Sequence, residues 1–557
     1  MNTIPTRSYW PADCRSPIRD VTVGGLLRAA AAAHDKRVAL IEACPEGLAS
    51  LTGTGRTDRT WTYGELLAQA ETCASWLLER FDPGEAVCIW APNVPEWVIV
   101  QYGAALAGLV LVTANPALRE SELRHVLQQS KAVALFHLDS FRGNDMAATA
   151  ARLRSEVREV VTLTSFLDRL TKVAVVRDLS QVDPAACAQI QFTSGTTGLP
   201  KGAMLHHCGL VTNAVFMADR TGQDSEVWVS AMPLFHTAGS GMTVLGCAAK
   251  GSTLVLLPFF DPGFMLDEIE RRRATVTSGV PTMLSAMLES LRARPRDVGA
   301  LKLIISGGAP VPPSLHHQVE ERFGCVLTTL YGQTELSPSL CATGPEDAAR
   351  DRAETSGRPL PQVEVRIVAP DTAEVTALDE EGEVQARGHQ VMLGYIGQPE
   401  ATARAVSEDN WLRTGDLGRL DARGYLRITG RLSDMIIRGG ENLYPAEIEA
   451  ALSRHPAVLD VAVFGVPDDH WGEIAAAAVR VRKDASAPGP DELKAHCRSL
   501  LSPQKTPTIW FELDAFPLTA SGKVQKYVLR EQASAGALPT LPRPTDGDAG
   551  SIQHNQP

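Results

Sequence analysis

The sequence predicts an α/β fold in which a large N-terminal domain is followed by a small α+β domain. Strand patterns alternate with helix patterns from about Val21 to Gly430, which is typical of a parallel or mixed sheet covered by helices. After Gly430 the pattern changes to two helix patterns and three strand patterns within about one hundred residues, which is a usual domain size. The length of 557 residues also exceeds what one ordinary core supports.

The large domain shows its elements in order along the chain. "EAVCIWAPN" at 85–93 predicts a strand that ends in a turn, and "PEWVIVQYGAALAGL" at 95–109 predicts a helix. "AVALFHL" at 132–138 and "LVLLPFF" at 254–260 again resemble strands.

A β-α-β unit follows in the same domain. A strand at Leu303–Ser306 leads through the turn Gly307–Gly308 to a helix from about Pro313 to Phe323, and a second strand ends near Leu330. Both polar loops therefore lie at carboxyl ends of strands, where open α/β sheets bind ligands.

The small domain contains a helix at 445–456, strands at 458–466 and 473–482, a helix at 491–501 and a last strand at 508–514. We place the domain boundaries at 1–430 and 431–531. The remaining residues, 532–557, are rich in Pro, Gly, Ala and Asp, and we expect them to be disordered.

Bulk properties exclude several classes of function. The net charge of -12 argues against nucleic acid or an anionic membrane as the main partner. None of the ten cysteines forms a C-x-x-C pair, so neither a zinc ribbon nor a redox dithiol is indicated. The most apolar stretch, from Trp97, is too short to span a membrane and contains Gln101. Because the N-terminal residues lack the apolar region of a secretion signal, we expect a cytoplasmic enzyme without a membrane span.

The segment "TSGTTGLPKG", from Thr193 to Gly202, follows a strand pattern and indicates a polyphosphate site. Backbone N–H groups of glycine-rich turns hold anions. Three hydroxyls and one cation add to them: Ser194, Thr196, Thr197 and Lys201. A Walker A loop would place glycine directly before the lysine, whereas Pro200 stands there and a strand pattern follows. A flexible surface hairpin is the alternative for such a segment taken alone.

Further motifs follow in order: "YGQTE", "TGD", "GRLSDMIIRGGENLYPAEIE" and "PLTASGKVQK". Together with the glycine-rich segment they resemble the adenylate-forming superfamily, which contains acyl-CoA synthetases, aryl-CoA ligases, luciferases and peptide-synthetase adenylation domains. The resemblance covers about residues 20 to 530. The motif "GRLSDMIIRGGENLYPAEIE", followed by "GVPDDHWGE", is most similar to the sequences of fatty-acyl and medium-chain acyl-CoA synthetases. The resemblance implies a large N-terminal adenylate-forming domain with a small, mobile α+β C-terminal lid.

The resemblance also implies two half-reactions and three small-molecule requirements: ATP, Mg²⁺ and CoA. A carboxylate attacks the α-phosphorus of ATP and gives an acyl-adenylate and pyrophosphate. A thiol then attacks the acyl carbon and expels AMP. Positioning and charge stabilisation supply most of the catalysis in such phosphoryl chemistry.

Roles in ATP binding follow by resemblance. The β- and γ-phosphates would be held by Thr193, Ser194, Gly195, Thr196, Thr197, Gly198 and Lys201. Tyr331 would stack on adenine, whose edge would face the backbone of Gly308, Ala309 and Pro310. Thr334 would contact the α-phosphate. Glu335, with Thr196, would bind Mg²⁺, a hard cation that prefers oxygen ligands.

The remaining roles concern ribose, the acid and the chemistry. Asp416 would accept hydrogen bonds from both ribose hydroxyls, and Arg431 would reach the same ribose. His236 would act as a gate between the ATP site and the acyl pocket, whose walls would come from loops that include 239–246 and 278–283. Lys523 would be the catalytic lysine that bridges the attacking carboxylate and an α-phosphate oxygen.

The chain departs from the family pattern at three positions. Ser433 stands where relatives commonly carry Asp or Lys as the hinge, Gln504 replaces an aromatic residue, and Thr508 replaces a basic residue. The last two would lie near the CoA nucleotide. Gly439, Gly440 and Trp471 do fit a CoA-using relative. The adenylation half therefore looks complete, whereas the CoA half departs from the pattern.

The sequence thus predicts an ATP-dependent ligase that activates a small-molecule acid, most simply a fatty or aryl acyl-CoA synthetase. One alternative keeps adenylation but uses another acceptor: a carrier-protein thiol, or an aryl amine diazotised through activated nitrite in secondary metabolism. An alternative of another class is a catalytically silent binding protein on this fold, which Lys523, Asp416, Arg431 and Glu335 argue against.

Overall fold

The computed structural model describes residues 6–45, 50–52, 58–174, 179, 181–193, 200–439, 441–468, 470–482, 485–518 and 524–541. The chain forms two compact units. The larger contains the described residues up to Thr414 together with Gly418–Ile428. The smaller contains Gly415–Leu417 and the described residues from Thr429 onward.

A nine-stranded, mostly parallel sheet forms one half of the larger unit. Its strands, in spatial order, are Arg358–Pro359, Ser339–Ala342, Val326–Gly332, Leu303–Gly307, Val276–Ser278, Val227–Ser230, Thr253–Leu256, Val38–Glu42 and Thr60–Thr62. Side chains alternate across it, so that Ile304 faces one apolar core while Leu303 and Ile305 face the other.

A seven-stranded sheet forms the second half. Its strands, in spatial order, are Gly394–Tyr395, Lys201–His206, Cys187–Thr193, Val110–Ala114, Ala86–Trp90, Ala134–His137 and Glu159–Thr162. Residues of this sheet and of one face of the nine-stranded sheet share the largest apolar core. The central strands are buried on both faces, which explains their continuous apolar sequence.

A third sheet has five strands. In spatial order they are Tyr9–Trp10, Val363–Val368, Gly382–Gly388, Leu412–Leu420 and Leu426–Arg431. A short hairpin pairs Ser140–Phe141 with Asn144–Asp145.

The helices of the larger unit start and end at local signals. Helix Pro313–Phe323 begins with proline and stops at Gly324, whose φ of 66° favours glycine. Helix Tyr63–Leu78 begins with a capping box between Thr62 and Glu65. The other α-helices are Val23–His34, Pro95–Ala107, Glu120–Ser130, Met146–Arg152, Phe166–Leu170, His207–Arg220, Gly246–Lys250, Pro262–Arg272, Pro281–Ala293, Ala349–Glu354 and Pro399–Ala405.

Residues 239–246, which we expected to form a loop, are helical instead. Ala238–Leu245 is a π-helix that continues into Gly246–Lys250. All of its residues from Gly239 to Leu245 are buried, so their backbone groups must bond internally rather than to water. Of the second expected loop, Pro281, Thr282 and Met283 begin the helix Pro281–Ala293.

The smaller unit is α+β, as predicted. Strands Glu441–Leu443, Ile436–Arg438, Gly472–Val481 and Val458–Asp468 follow one another in its sheet, and Ile509–Glu512 pairs in parallel with Gly472–Val481. Helices Pro445–Leu452, Pro490–Leu500 and Lys526–Ser534 pack on this sheet around two small apolar clusters.

The expected disorder from residue 532 is wrong for the first ten residues of the tail. The helix that begins at Lys526 continues to Ser534, and the next residues return along the last strand. Leu541 donates its N–H to the Trp510 carbonyl at 2.9 Å, and Leu538 and Leu541 are buried. Two leucines thus fix a segment whose composition is otherwise typical of a loop. Residues 542–557 lie outside the described residues.

Candidate active site

Two antiparallel strands flank the glycine-rich segment in the larger unit. Cys187–Thr193 pairs with Lys201–His206, and Thr193 lies opposite Lys201. Gly202 is closely packed, and a Cβ there would lie 2.9 Å from methyl groups of Ile190 and Ile396, so a larger residue would displace them. The five predicted phosphate-binding residues between these strands, Ser194, Gly195, Thr196, Thr197 and Gly198, lie outside the described residues.

Lys201 and Glu335 both contact Tyr395, a residue that the sequence analysis missed. The Lys201 Nζ lies 5.3 Å from the centroid of the Tyr395 ring, a cation–π distance. The Tyr395 hydroxyl donates to Glu335 Oε1 at 2.7 Å. Tyr395 belongs to a strand of two residues that pairs with Lys201–His206, with Tyr395 opposite Ala203. The signal in the sequence is the pair Gly394-Tyr395, since the φ of 135° at Gly394 requires glycine.

Thr334 and Glu335 lie on a 3₁₀ turn, Thr334–Leu336, and both are buried. The Met392 N–H donates to the Glu335 carbonyl at 2.9 Å, which fixes the turn. Burial, followed by the negative charge of Glu335, raises the pKa of Tyr395 above its ordinary value, so the hydroxyl stays protonated and donates to the carboxylate.

The donor set fits a cation that takes most of its ligands from phosphate. Across the described residues, no group of three or more His, Cys, Asp or Glu side chains could hold a metal ion. One buried carboxylate, that of Glu335, lies beside the strands that flank the glycine-rich segment. Mg²⁺ commonly binds through one or two carboxylates together with substrate phosphates, so the residues present suit it.

The predicted adenine residues come from two adjacent parallel strands. Leu303–Gly307 pairs with Val326–Gly332, and Gly307 lies opposite Leu330. The turn Gly308, Ala309 and Pro310 therefore follows one strand at the edge where Tyr331 ends the next. Gly308 has a φ of 77°, and a Cβ on Gly307 would lie 2.6 Å from the Leu330 carbonyl oxygen. Tyr331 is partly exposed.

His236 lies in a tight turn that precedes the π-helix. Its N–H donates to the Pro233 carbonyl at 3.0 Å, and its carbonyl accepts from the N–H groups of Gly239 and Ser240 at 2.9 and 3.0 Å. A Cβ on Gly239 would lie 2.2 Å from the Pro233 oxygen, so this position must be glycine. The structure thus places His236 on the same unit as Lys201 and Glu335.

Asp416 and Arg431, the two predicted ribose residues, pair with each other in the smaller unit. The Arg431 Nε lies 3.0 Å from Asp416 Oδ1. Asp416 is buried, whereas half of the Arg431 side chain is exposed. The partner arginine therefore orients a carboxylate while its own charge remains in contact with solvent.

Gly439 and Trp471 contact each other in the smaller unit. The Gly439 N–H donates to the Trp471 carbonyl at 2.7 Å, and a Cβ on Gly439 would lie 2.7 Å from the indole ring. The Arg438 guanidinium lies 4.9 Å from the ring centroid. Trp471 remains 43% exposed, so the other parts of its ring are open. Gly440 and Lys523 lie outside the described residues.

Comparison with known proteins assigns the family. The AMP-binding enzyme family matches residues 27–396, more than half of the chain, and the AMP-binding enzyme C-terminal domain matches residues 447–523. The chain belongs to the AMP-binding enzyme family. This AMP-binding enzyme is therefore an ATP-dependent acid-activating ligase of the adenylate-forming superfamily, as its motifs predicted.

Its relatives include acyl-CoA ligases. The AMP-binding enzyme is 39% identical to YngI of Bacillus subtilis over 507 residues, which cover 85% of this chain and 92% of YngI. It is 34% identical over 512 residues to the mitochondrial medium-chain acyl-CoA ligase ACSF2 of Homo sapiens, covering 85% of this chain and 83% of ACSF2.

A solved structure confirms the predicted fold class. ATP-bound MatB from Rhodopseudomonas palustris is 28% identical, has a TM-score of 0.82, and covers 92% of this chain and 99% of its own. Within the described residues, no helix of the AMP-binding enzyme is both long and apolar enough to cross a membrane.

Proposed function

We propose that this AMP-binding enzyme is an ATP- and Mg²⁺-dependent acyl-CoA synthetase that acts on a fatty or aryl acid. The observation that carries the proposal is the contact series from Lys201 through Tyr395 to Glu335, directly beside the strands that flank the glycine-rich segment. It brings a cation for phosphate oxygens and a carboxylate for a metal ion to one place. The name of ACSF2 makes medium-chain fatty acids the first acids to test.

The larger unit would bind the triphosphate. Lys201 and Thr193, with the segment between them, would contact the β- and γ-phosphates, and Thr334 the α-phosphate. Glu335 would hold Mg²⁺, which supplies charge neutralisation to the phosphate oxygens when bound. Tyr331 would cover one face of adenine while Gly308, Ala309 and Pro310 present backbone groups to its edge.

The smaller unit would supply the ribose contacts and the lysine for the first half-reaction. Asp416 would accept from the ribose hydroxyls, held in place by Arg431. Lys523 would contact the carboxylate of the acid and an α-phosphate oxygen as negative charge moves onto the leaving pyrophosphate. A lysine suits this role because its charge is compact and its stem is flexible.

The second half-reaction would use CoA. The thiol sulfur would attack the acyl carbon, form the thioester and release AMP. Gly439, Gly440 and Trp471 would lie along the CoA path, as their fit to CoA-using relatives indicates. His236 would separate the acid pocket from the nucleotide.

The test is a screen of acids by pyrophosphate release, with wild-type protein, Lys523→Ala and Lys526→Ala. Lys526 is the matched control, a lysine three residues away that pairs with Glu449 at 2.6 Å. We expect Lys523→Ala to lose about 10²–10³-fold in adenylation, the usual effect of removing a preorganised charge contact. Lys526→Ala should keep adenylation near the wild-type level.

The same screen identifies the acceptor. CoA and a carrier-protein thiol are supplied in separate reactions with the preferred acid and ATP. A further reaction contains ATP, an aryl amine, and nitrite in place of the acid. Thioester formation that saturates with CoA supports the proposal. If no acid stimulates pyrophosphate release, the proposed function is refuted. If product forms only with one of the other acceptors, that acceptor replaces CoA in the proposed reaction.

A further inference from the structure

Buried polar side chains converge on the segment Met232–Ser240, which contains His236. These side chains come from the half of the larger unit that contains the seven-stranded sheet. Each is at most 5% exposed: Asn93, Gln101, Thr113, Gln189 and Gln191. The segment follows the strand Val227–Ser230 of the nine-stranded sheet and includes the first residues of the π-helix. Buried amides and hydroxyls are costly unless they form hydrogen bonds, so their partners show what they position.

Asn93 fixes the start of the segment. Its Oδ1 accepts from the Leu234 N–H at 2.8 Å. Its Nδ2 donates to the carbonyls of Met232 and Leu257, each at 3.0 Å. One side chain thus joins the segment to the end of a neighbouring strand.

Gln191 and Thr113 fix the residue directly before His236. The carbonyl oxygen of Phe235 accepts from Gln191 Nε2 and from Thr113 Oγ1, the latter at 3.1 Å. Gln189 Nε2 donates to Gln191 Oε1 at 2.9 Å, which orients the Gln191 amide. Two side-chain donors therefore hold the backbone of Phe235, and with it the position of the turn that follows.

Gln189 and Gln101 fix the residues that follow. Gln189 Nε2 also donates to Ser240 Oγ at 3.1 Å, and Gln101 Nε2 donates to the Ser240 carbonyl at 3.0 Å. His236 therefore lies between anchored positions on both sides, in a turn that is closed by its own backbone hydrogen bonds.

The strand Cys187–Thr193, which carries Gln189 and Gln191, also leads into the glycine-rich segment. Side chains two residues apart lie on the same face of a strand, so Gln189, Gln191 and Thr193 share one face. The face that holds the His236 turn thus ends at the first predicted phosphate residue.

We propose that Gln191, together with Thr113, is a positioning residue that fixes the His236 turn relative to Thr193 and thereby determines which acids the enzyme accepts. The inference rests on the proposed function, in which His236 borders the acid pocket. A displaced turn would alter that pocket. The backbone pairing of Cys187–Thr193 with Lys201–His206 does not depend on the Gln191 side chain, so Thr193, Lys201 and the ATP contacts on other strands would stay in place.

The experiment compares Gln191→Leu and Thr113→Val with a matched control, Gln385→Leu. Gln385 is also buried and also donates through Nε2, to Glu383 at 2.9 Å, but it belongs to the five-stranded sheet. Pyrophosphate release is measured with straight-chain acids of increasing length and with benzoate, and KM is determined separately for the acid and for ATP. Thermal unfolding of each variant is recorded.

We expect Gln191→Leu to lower kcat/KM for the preferred acid by about tenfold or more, because it removes two buried hydrogen bonds, the one to the Phe235 carbonyl and the one from Gln189. The order of preference among acids should change, and KM for ATP should stay within about twofold. Thr113→Val, which removes one of the two donors to Phe235, should change the preference in the same direction by a smaller factor. If Gln191→Leu does not fold, Thr113→Val alone tests the proposal.

An unchanged acid profile in Thr113→Val or Gln191→Leu would overturn the inference, as would an equal change in the control Gln385→Leu. A rise in KM for ATP without a change in KM for the acid would overturn it too. These outcomes require that the wild-type protein releases pyrophosphate with some acid. If it does not, the proposed function fails first, and the two failures are distinguished.

Discussion

Replacing Tyr395 with phenylalanine tests the link between the metal carboxylate and the phosphate lysine. The change removes the hydroxyl that donates to Glu335 Oε1 at 2.7 Å and keeps the ring on which Lys201 Nζ lies at 5.3 Å. The buried carboxylate then loses a donor while the cation–π contact persists.

The magnitude follows from the kind of hydrogen bond. A hydrogen bond to a charged group contributes about 1.5–3 kcal/mol. At about 1.4 kcal/mol for each factor of ten, this corresponds to roughly 10- to 150-fold. Because bound Mg²⁺ would replace part of the lost interaction, we expect the lower end, about a tenfold fall in kcat/KM for ATP, together with an altered Mg²⁺ dependence.

The effect should not depend on pH near neutrality. Burial and the neighbouring Glu335 charge raise the pKa of Tyr395, so the wild-type hydroxyl keeps its proton well above the ordinary tyrosine value of about 10. The ratio of wild-type to Tyr395→Phe activity should therefore be constant between about pH 6.5 and pH 9.

The assay is pyrophosphate release at fixed ATP over a Mg²⁺ titration, with Tyr425→Phe as the matched control. Tyr425 is buried in the same unit and donates to Asp347 Oδ1, also at 2.7 Å, so it loses a hydrogen bond of the same kind. A Mg²⁺ dependence of Tyr395→Phe that equals wild type, or a shift of the same size in Tyr425→Phe, would refute the reasoning.

Three other predictions concern ribose binding, acid stability and the C-terminal segment. Asp416→Ala should raise KM for ATP by about tenfold or more and reduce the preference for ATP over its 2′-deoxy analogue, because paired hydrogen bonds to ribose would be lost; equal preferences in wild type and variant would remove this carboxylate from the site. Burial lowers the pKa of His207 to about 4, and its Nδ1 accepts from the Val23 N–H at 3.3 Å. Its stabilising contribution is complete above about pH 6.5 and is lost as the pH falls toward 4, at up to about 1.4 kcal/mol per pH unit, so His207→Asn should show a smaller drop in thermal midpoint between pH 7.5 and pH 5 than wild type. Leu541→Ala should destabilise the smaller unit by about 2–5 kcal/mol, since it removes a buried side chain next to Trp510, whereas urea unfolding identical to wild type would show that the segment contributes nothing.

The elements with strong local signals could be predicted from the sequence. Helix Pro313–Phe323 has the predicted bounds because proline starts it and Gly324 ends it. The strands around the glycine-rich segment also agree, since Cys187–Thr193 alternates polar and apolar residues and Lys201–His206 has the apolar centre Ala203–Leu205, with a glycine-rich sequence between the two strands. Each of these signals lies within a few residues of the structure that it specifies.

Contacts between distant residues could not be predicted in the same way. Tyr395 and Glu335 are 60 residues apart, and their contact depends on a strand of two residues, which is too short to show a period. Residues 239–246 were expected to form a loop, but the residues from Gly239 to Leu245 are buried, and burial favours a helix because a helix pairs backbone groups with one another. The ordered residues 535–541 depend on two buried leucines within a segment of loop-like composition.

Gln504 and Thr508, two of the departures from the family pattern, make backbone contacts within the smaller unit. Gln504 accepts from Arg438 Nη1 through its backbone carbonyl at 2.9 Å, and the Thr508 N–H donates to the Ala475 carbonyl at 2.9 Å. The Gln504 contact uses only the backbone, so it does not depend on the side chain at that position. Thr508 Oγ1 also donates to the Ala475 carbonyl, at 3.4 Å. Arg438 in turn lies against Trp471, whose exposed ring offers an aromatic surface with a cation beside it. Stacking of a nucleobase on an aromatic ring contributes about 1–3 kcal/mol, so we expect Trp471 and Arg438 together to compensate for the aromatic residue absent at 504 and the basic residue absent at 508.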